Sequence, residues 1–235
     1  MNFVCARSMR VISLLATITL FLSACQTAAV YTSDTLKRDD QTVRVLVMPM
    51  DVELSELGLG GTTVRADWTE AATGHLENSL AAYLSERNVE VVPFVPTSNP
   101  DIASKDTQLI KLFGVVGQNI TLHYYAIPLP NKKEKFDWSM GPTTIKLADR
   151  YDADYALFIS IRDSYVSAER AAAMAVAAVF GIGIPGGIQT GSAALVDLRT
   201  GEFSWFNRLA RGTGDIRTAE PAKETMAVLM EEFPK

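Results

Sequence analysis

The chain has 235 residues, of which 48% are hydrophobic and 21% charged, with a net charge of −5, two cysteines and two histidines. The acidic balance excludes a general nucleic-acid binder, which needs a basic surface to displace counterions from phosphates. Two histidines and two cysteines are too few for a zinc site of the usual ligand spacing, so we predict no metal.

The first 24 residues have the layout of a secretory signal peptide. Arg7 and Arg10 precede a mostly apolar, uncharged stretch at residues 11–22. This stretch is too short to cross a bilayer comfortably, and a positive flank before it is typical of secretory signals. We therefore predict that residues 1–24 are removed during export.

A cysteine follows the signal immediately. Residues 22–25 read Leu-Ser-Ala-Cys, which resembles the lipobox of bacterial lipoproteins, so we predict that Cys25 carries the lipid that anchors the protein to a membrane. Gln26 resembles the residues that sort such lipoproteins to the outer membrane, which predicts attachment to its periplasmic face. Because Cys5 leaves with the signal, no thiol remains for catalysis or for a disulfide.

The rest of the chain is predicted as two parts. Residues 25–41 are polar without a sustained period, so they are interpreted as a lipidated N-terminus and a flexible tether. Residues 42–235 are interpreted as a single periplasmic α/β domain. Apolar patterns predict strands at residues 43–50, 89–94, 155–165, 192–197 and 203–209, and helices at 67–86, 106–127, 143–150 and from Pro221 onward.

Local signals refine these elements. Asp67 and Glu70 are spaced like a capping box at the start of the first helix. Gly114 and Gly117 weaken the second helix, since glycine lowers helix stability. The glycine-rich residues 57–62 predict a flexible crossover loop between the first strand and the first helix.

Several short motifs resemble a known group of lipoproteins. Met48-Pro49-Met50 ends the first strand, residues 151–155 lead into the third, and a hairpin at residues 195–201 is followed by Trp205. In this order, over roughly residues 43–233, they resemble the periplasmic α/β domain of curli-secretion-type lipoproteins and of the related GNA1162-like lipoproteins. The resemblance implies a small mixed sheet flanked by helices and a non-catalytic role in envelope assembly or export. Such proteins commonly have glycine where this chain has Asp152.

Residues 171–188 form a stretch of 18 residues without any charge, between two strands that should pair as a C-terminal hairpin. This hydrophobic insertion has three interpretations: contact with a membrane, self-association, or a helix covered by its own domain. Alanine and glycine transfer weakly to lipid and Pro185 interrupts a helix, so the sequence favours burial or packing between copies. The candidate contact residues are Met174, Val176, Val179, Phe180, Ile182 and Ile184.

Two features allow an enzymatic interpretation. Asp152 and Asp154 form a pair of carboxylates, and His75 lies on the first predicted helix. Neither has a further ligand or a catalytic motif beside it, so we interpret the aspartates as solvating a turn and His75 as an ordinary surface residue. We therefore predict no catalytic site and no cofactor.

The sequence predicts a membrane-anchored lipoprotein that acts as a non-catalytic accessory or scaffold in cell-envelope assembly or transport. Its predicted partners are the membrane, through the lipid on Cys25, and an envelope protein or a second copy of the chain. One alternative is an oligomeric, membrane-inserting export component that uses residues 171–188. A second alternative is an envelope hydrolase or transferase that uses Asp152, Asp154 or His75.

Overall fold

The computed structural model describes residues 30–32, 42–87, 89–132, 135–212 and 214–234. The signal and the predicted lipidation site, Cys25, lie outside the described residues. The strands are β1 Val30–Thr32, β2 Arg44–Val47, β3 Asp51–Gly58, β4 Gly61–Val64, β5 Glu90–Pro93, β6 Tyr155–Val166, β7 Gln189–Asp197 and β8 Phe203–Arg211. The α-helices are α1 Ala66–Ser85, α2 Pro100–His123, α3 Ile145–Tyr151, α4 Ala168–Val179 and α5 Ala219–Leu229, and a 3₁₀ turn at Pro142–Thr144 precedes α3.

All eight strands that the structure describes belong to one mixed sheet. Six of them follow the order β1-β8-β7-β6-β2-β5, while β3 pairs with β6 and β4 pairs with β3. Strand β6 pairs antiparallel with β7 along one side. Along its other side it pairs in parallel, first with β2 and then with β3. Pro49 lies between β2 and β3, which divides the predicted strand 43–50 and lets the chain continue along the same side of β6.

Helices cover both faces of the sheet because the central strand is apolar on both sides. Residues 155–161 of β6 are all buried. Leu157 and Ile159 lie in the core that is formed with α1 and α5, whereas Ala156 and Phe158 lie in the core formed with α2 and α3. This alternation follows the two-residue period of a strand. The predicted α/β class, a mixed sheet flanked by helices, is confirmed.

Helix α2 packs unusually close to the sheet through its two glycines. A Cβ atom on Gly117 would lie 2.5 Å from the Oγ atom of Ser192, and one on Gly114 would lie 3.3 Å from a carboxylate oxygen of Asp51. Asn99 caps this helix, since its Oδ1 atom accepts hydrogen bonds from two backbone amides of the first turn. The glycines that weaken the helix in isolation therefore allow its close packing in the fold.

Two local predictions in the first third of the domain are wrong. The N-cap of α1 is Arg65, which has no capping side chain; instead its guanidinium binds the Asp67 carboxylate at 3.1 and 2.9 Å. Residues 58–61 are the turn of an antiparallel hairpin between β3 and β4, not a crossover loop. Strand β4 is exposed along its whole length, so no apolar alternation marks it in the sequence.

A strand also interrupts the predicted tether. Residues 30–32 form β1, which pairs antiparallel with β8 at one edge of the sheet. The Tyr31 ring stacks on the Phe136 ring with a centroid distance of 3.6 Å and an interplanar angle of 15°. The interpretation of residues 25–41 as flexible throughout is therefore wrong at β1, where the chain is already part of the sheet.

Candidate functional site

The segment that connects β6 and β7 exposes several large apolar side chains. Residues 167–188, which we call the arm, leave the sheet at Ser167, form helix α4 and return to β7. The Ser167 hydroxyl caps the helix by accepting a hydrogen bond from the backbone amide of Arg170 at 3.2 Å. No residue of α4 is buried. The interpretation of this segment as a helix covered by its own domain is therefore wrong.

The tip of the arm exposes large apolar side chains. Val179 is 82% exposed and Phe180 is 76% exposed, and Val176 and Ile182 are also exposed. We call these four residues the apolar ridge; Val176, Val179 and Phe180 share a face of the helix because they are three and four positions apart. Removing a large apolar side chain from water contributes roughly 1.5–3 kcal/mol. The ridge therefore favours contact with another apolar surface.

Met174 and Ile184, which the sequence also predicts as contact residues, are in a different position. Both are only partly exposed. A methyl group on Gly186 would lie 3.9 Å from the Cε atom of Met174, so this side chain faces the returning segment. The structure thus separates the six predicted residues into four at the exposed ridge and two that are partly buried.

The base of the arm is tied to the β3–β4 hairpin. The backbone amide of Ser167 donates to the carbonyl of Leu57 at 3.0 Å. The Arg170 guanidinium donates to the carbonyls of Gly58 and Pro185, both at 3.3 Å. Because Arg170 binds the hairpin and the returning segment together, it fixes the direction in which the arm leaves the sheet.

Ser164 closes the base from the other side. Its hydroxyl accepts a hydrogen bond from the backbone amide of Ile188 at 3.0 Å and lies 3.2 Å from the carbonyl of the same residue, to which it donates. Next to this contact, a Cβ atom on Gly187 would lie 1.8 Å from the Ser164 carbonyl oxygen. Only glycine fits at this position, so the two ends of the arm are held in direct backbone contact.

A buried carboxyl lies beneath the base of the arm. Asp163 is 5% exposed and accepts hydrogen bonds from the Tyr165 hydroxyl at 2.6 Å, the Gln189 side chain at 2.7 Å and the Ser164 amide at 2.7 Å. Burial raises the pKa of Asp163 above its ordinary value, and these hydrogen bonds only partly oppose that shift. Gln189 in turn accepts from Thr225 on α5 at 3.0 Å, so the network joins the arm to the helical layer.

This network was not predicted from the sequence. Asp163, Tyr165 and Gln189 lie near strand ends, where polar residues are common, so no pattern distinguishes them. The pKa of the Tyr165 hydroxyl is also raised, by burial and by its bond to Asp163. A pair of this kind, joined by a short hydrogen bond, supports the fold and rigidly positions the arm.

The aspartates of the enzymatic alternative have a structural role. Arg44 donates through its guanidinium to Asp152 and through its backbone amide to Asp154, the latter at 3.0 Å. These bonds fix β2 beside the start of β6. The φ angle of Asp152 is 48°, in the left-handed region that favours glycine.

His75 lies elsewhere, on a cleft of about 390 Å³ between α1 and α5, whose lining includes neither Asp152 nor Asp154. Within the described ranges, no three histidine, cysteine or carboxylate side chains are grouped so that they could hold a metal ion. Among the helices that the structure describes, none is long and apolar enough to cross a membrane.

No protein-family model and no curated protein matches the chain. Among solved structures, it is similar to the PelC dodecamer from Paraburkholderia phytofirmans, with 14% identity, 87% of this chain and 94% of that chain covered, and a TM-score of 0.42. It is also similar to lipoprotein GNA1162 from Neisseria meningitidis, with 16% identity, 72% and 79% covered, and a TM-score of 0.30. A third structure is the C-terminal domain of LpoB from Escherichia coli, with 15% identity, 73% and 83% covered, and a TM-score of 0.29. GNA1162 gives its name to one of the two families that the sequence resembles; the similarity to the curli-secretion type stays a prediction.

Proposed function

We propose that this protein is a lipid-anchored accessory or scaffold protein of the bacterial cell envelope that acts by binding, not by catalysis. The observation that carries this proposal is the apolar ridge, which exposes Val179 and Phe180 on a helix without a buried residue. A monomeric protein rarely leaves such side chains together in water unless they meet a partner. The arm is therefore the contact element of the protein.

The chemistry of the arm defines what it binds. Residues 171–188 carry no charge, so a partner has no ion of this segment to neutralise or to desolvate. The ties of Arg170 and Ser164 at the base hold the ridge before any partner arrives. A surface that is organised in advance loses less conformational freedom on binding than a flexible loop.

The location of the protein follows from the sequence. Cys25 carries the lipid in this proposal, and Gln26 directs the protein to the periplasmic face of the outer membrane. The test is metabolic labelling with an alkyne analogue of palmitate, followed by fractionation of the inner and outer membranes. We expect the intact protein to be labelled in the outer-membrane fraction and Cys25→Ala to be unlabelled. A labelled Cys25→Ala variant would contradict the anchor.

Contact through the arm is tested in cells with a photo-crosslinking amino acid at position 180. The matched control carries the same amino acid at Val95, which is 63% exposed and follows β5, the edge strand at the other end of the strand order from β1. We expect a crosslinked product, with a protein or with lipid, from position 180 and none from position 95. Equal yields at the two positions would show that the ridge is not a specific contact and would contradict the role given to the arm.

A further inference from the structure

The direction of β1 shows from which end of the sheet the chain arrives. In its antiparallel pairing with β8, Val30 is opposite Asn207 and Thr32 is opposite Trp205. Moving from Thr32 to Val30, toward the N-terminus, therefore means moving along β8 toward its C-terminal residue, Arg211. The chain enters the sheet from that end.

The same end carries the arm. Arg211 is opposite Gln189, the first residue of β7, and Gln189 is opposite Asp163 near the end of β6. The arm begins at Ser167, four residues beyond Asp163. Both the arm and the entry of β1 therefore lie at one end of the sheet, which we call the arm end.

The length of chain before β1 limits the position of the predicted anchor. Cys25 precedes Val30 by five residue steps, which span at most about 17 Å even in a fully extended chain. Two strands, β8 and β7, lie between β1 and β6, and three spacings of about 4.8 Å place β1 and β6 about 14 Å apart across the sheet. A lipid on Cys25 is thus tied closely to the end of the sheet from which the arm projects.

The end of the sheet opposite to the arm carries charged side chains. Asp152, Glu90 and Glu202 lie at the starts of β6 and β5 and in the turn before β8, and Arg44 forms ion pairs with Asp152 and Glu90. Residues 171–188 of the arm carry no charge. Charged side chains stay hydrated in water, whereas an uncharged segment with exposed apolar side chains favours the interface of a bilayer.

We propose that the arm is a second membrane contact, in which the apolar ridge lies in the surface of the same leaflet that holds the lipid on Cys25. This inference rests on the proposed function, because it takes Cys25 as the anchor and the arm as the contact element. Helix α4 has 12 residues and a length of about 18 Å, well short of the roughly 30 Å of a hydrocarbon core, so it lies in the interface without spanning it.

A lipid surface fits the ridge better than a second copy of the chain does. A stable interface between proteins takes roughly 20–30 residues from each side, whereas the ridge offers four large apolar side chains at the tip of a projecting element. A bilayer accepts such a small apolar contact next to a covalent anchor, since it requires no complementary shape. The contact then fixes the orientation of the domain, with the end that carries Asp152 facing the periplasm.

The chain allows a sharp test because Cys25 is its one cysteine after the signal, so a thiol added elsewhere is unique. The lipidated variant Val179→Cys, labelled with an environment-sensitive fluorophore, is reconstituted with vesicles of phosphatidylethanolamine and phosphatidylglycerol, some of whose acyl chains carry a quencher. Val95→Cys is the matched control. We expect quenching and a blue shift at position 179 only.

The outcomes separate this inference from the proposed function. If the protein floats with the vesicles but position 179 is quenched no more than position 95, the anchor holds and the inference is overturned. If position 179 is blue-shifted without quenching, and the shift grows with protein concentration, the ridge meets a second copy instead. If the protein does not float at all, the proposed anchor itself fails.

A second measurement removes the anchor. Unlipidated Cys25→Ala protein is expected to bind the same vesicles weakly. Adding Val179→Asp to that variant is expected to lower its affinity for the vesicles by roughly tenfold or more. The exposed Val95→Asp is the control and should bind like its parent. Circular dichroism shows that the variants are folded; equal binding of the Val179 and Val95 variants would overturn the inference.

Discussion

Gly187 lies so close to Ser164 that a Cβ atom on the glycine would be 1.8 Å from the Ser164 carbonyl oxygen. This contact joins the departing and the returning ends of the arm through their backbones. The hydroxyl of Ser164 adds two hydrogen bonds to Ile188 beside it. The direction of the apolar ridge therefore depends on this glycine together with the hydrogen bonds of Ser164 and Arg170 at the base of the arm.

Gly187→Ala is expected to lower the free energy of unfolding by about 2 kcal/mol, because the clash is with backbone and no flexible side chain can move aside. It is also expected to expose residues 180–186 to limited proteolysis. Gly183→Ala is the matched control, since no atom lies within 4 Å of the added methyl group. Urea unfolding measures both variants, and equal stability would show that the base is not rigid.

Asp163→Asn is expected to change how stability depends on pH. The folded pKa of Asp163 is raised by burial, so its contribution to the free energy of unfolding is greatest below its ordinary pKa of 3.8. That contribution is lost as the pH rises through the folded pKa. The variant cannot lose it, so its stability relative to the wild type should improve as the pH rises from about 4 to about 7.

Urea unfolding at each pH measures this difference, and the exposed Asp149→Asn is the control. A stability difference for Asp163→Asn that stays constant with pH would contradict the prediction.

The pKa of the buried Asp51 shifts in the direction opposite to that of Asp163. Burial raises its pKa, but the hydrogen bonds from Lys111 and Arg162 outweigh burial and lower it below the ordinary value. The contribution of Asp51 to the free energy of unfolding is therefore lost on acidification. It does not hide the relative gain that we expect for Asp163→Asn as the pH rises toward neutral.

Gly117→Ala is expected to destabilise the protein by about 1–3 kcal/mol, because the new methyl group would lie 2.5 Å from the Ser192 hydroxyl. Removing that hydroxyl with Ser192→Ala should restore most of the loss in the double variant. In contrast, Gly74→Ala on the open side of α1 should stabilise by roughly 0.5–1 kcal/mol. Additive effects of Gly117→Ala and Ser192→Ala in a double-mutant cycle would rule out the contact between residues 117 and 192.

Asp152→Gly and Asp152→Ala should differ although both remove the carboxylate that binds Arg44 and keep the backbone carbonyl that Arg44 also contacts. Position 152 has a φ angle of 48°, which costs a residue with a Cβ atom about 1–2 kcal/mol and costs glycine almost nothing. We therefore expect the glycine variant to be the more stable of the two by about that amount in thermal unfolding. The reverse order would show that the backbone at the start of β6 is not left-handed in solution.

Much of the fold was predictable because its central elements are strongly apolar. The long run that becomes β6 is buried on both faces, and the stripe at residues 76, 80 and 84 of α1 faces the core. Such patterns are written locally in the chain. The hairpin strand β4 and the three-residue β1 were not predicted, since an exposed or very short strand leaves no apolar period.

The candidate site was predictable in composition but not in position. An uncharged segment at residues 171–188 is visible in the sequence, but its composition favours burial or packing between copies without distinguishing the two, whereas α4 has no buried residue. Its exposure depends on Ser164, Arg170 and Gly187, whose contacts are made with backbone groups of other segments. No local pattern reveals such contacts.

The sequence by itself determined the α/β class, the central strands and the presence of one uncharged insertion, because hydrophobic period and local composition are properties of neighbouring residues. The tertiary structure alone decided that the glycines of α2 pack against the sheet, that the arm projects into solvent, and that β1 enters from the arm end. These features depend on strand pairing and close approach between residues more than twenty positions apart. Chain order alone does not define which of those residues meet.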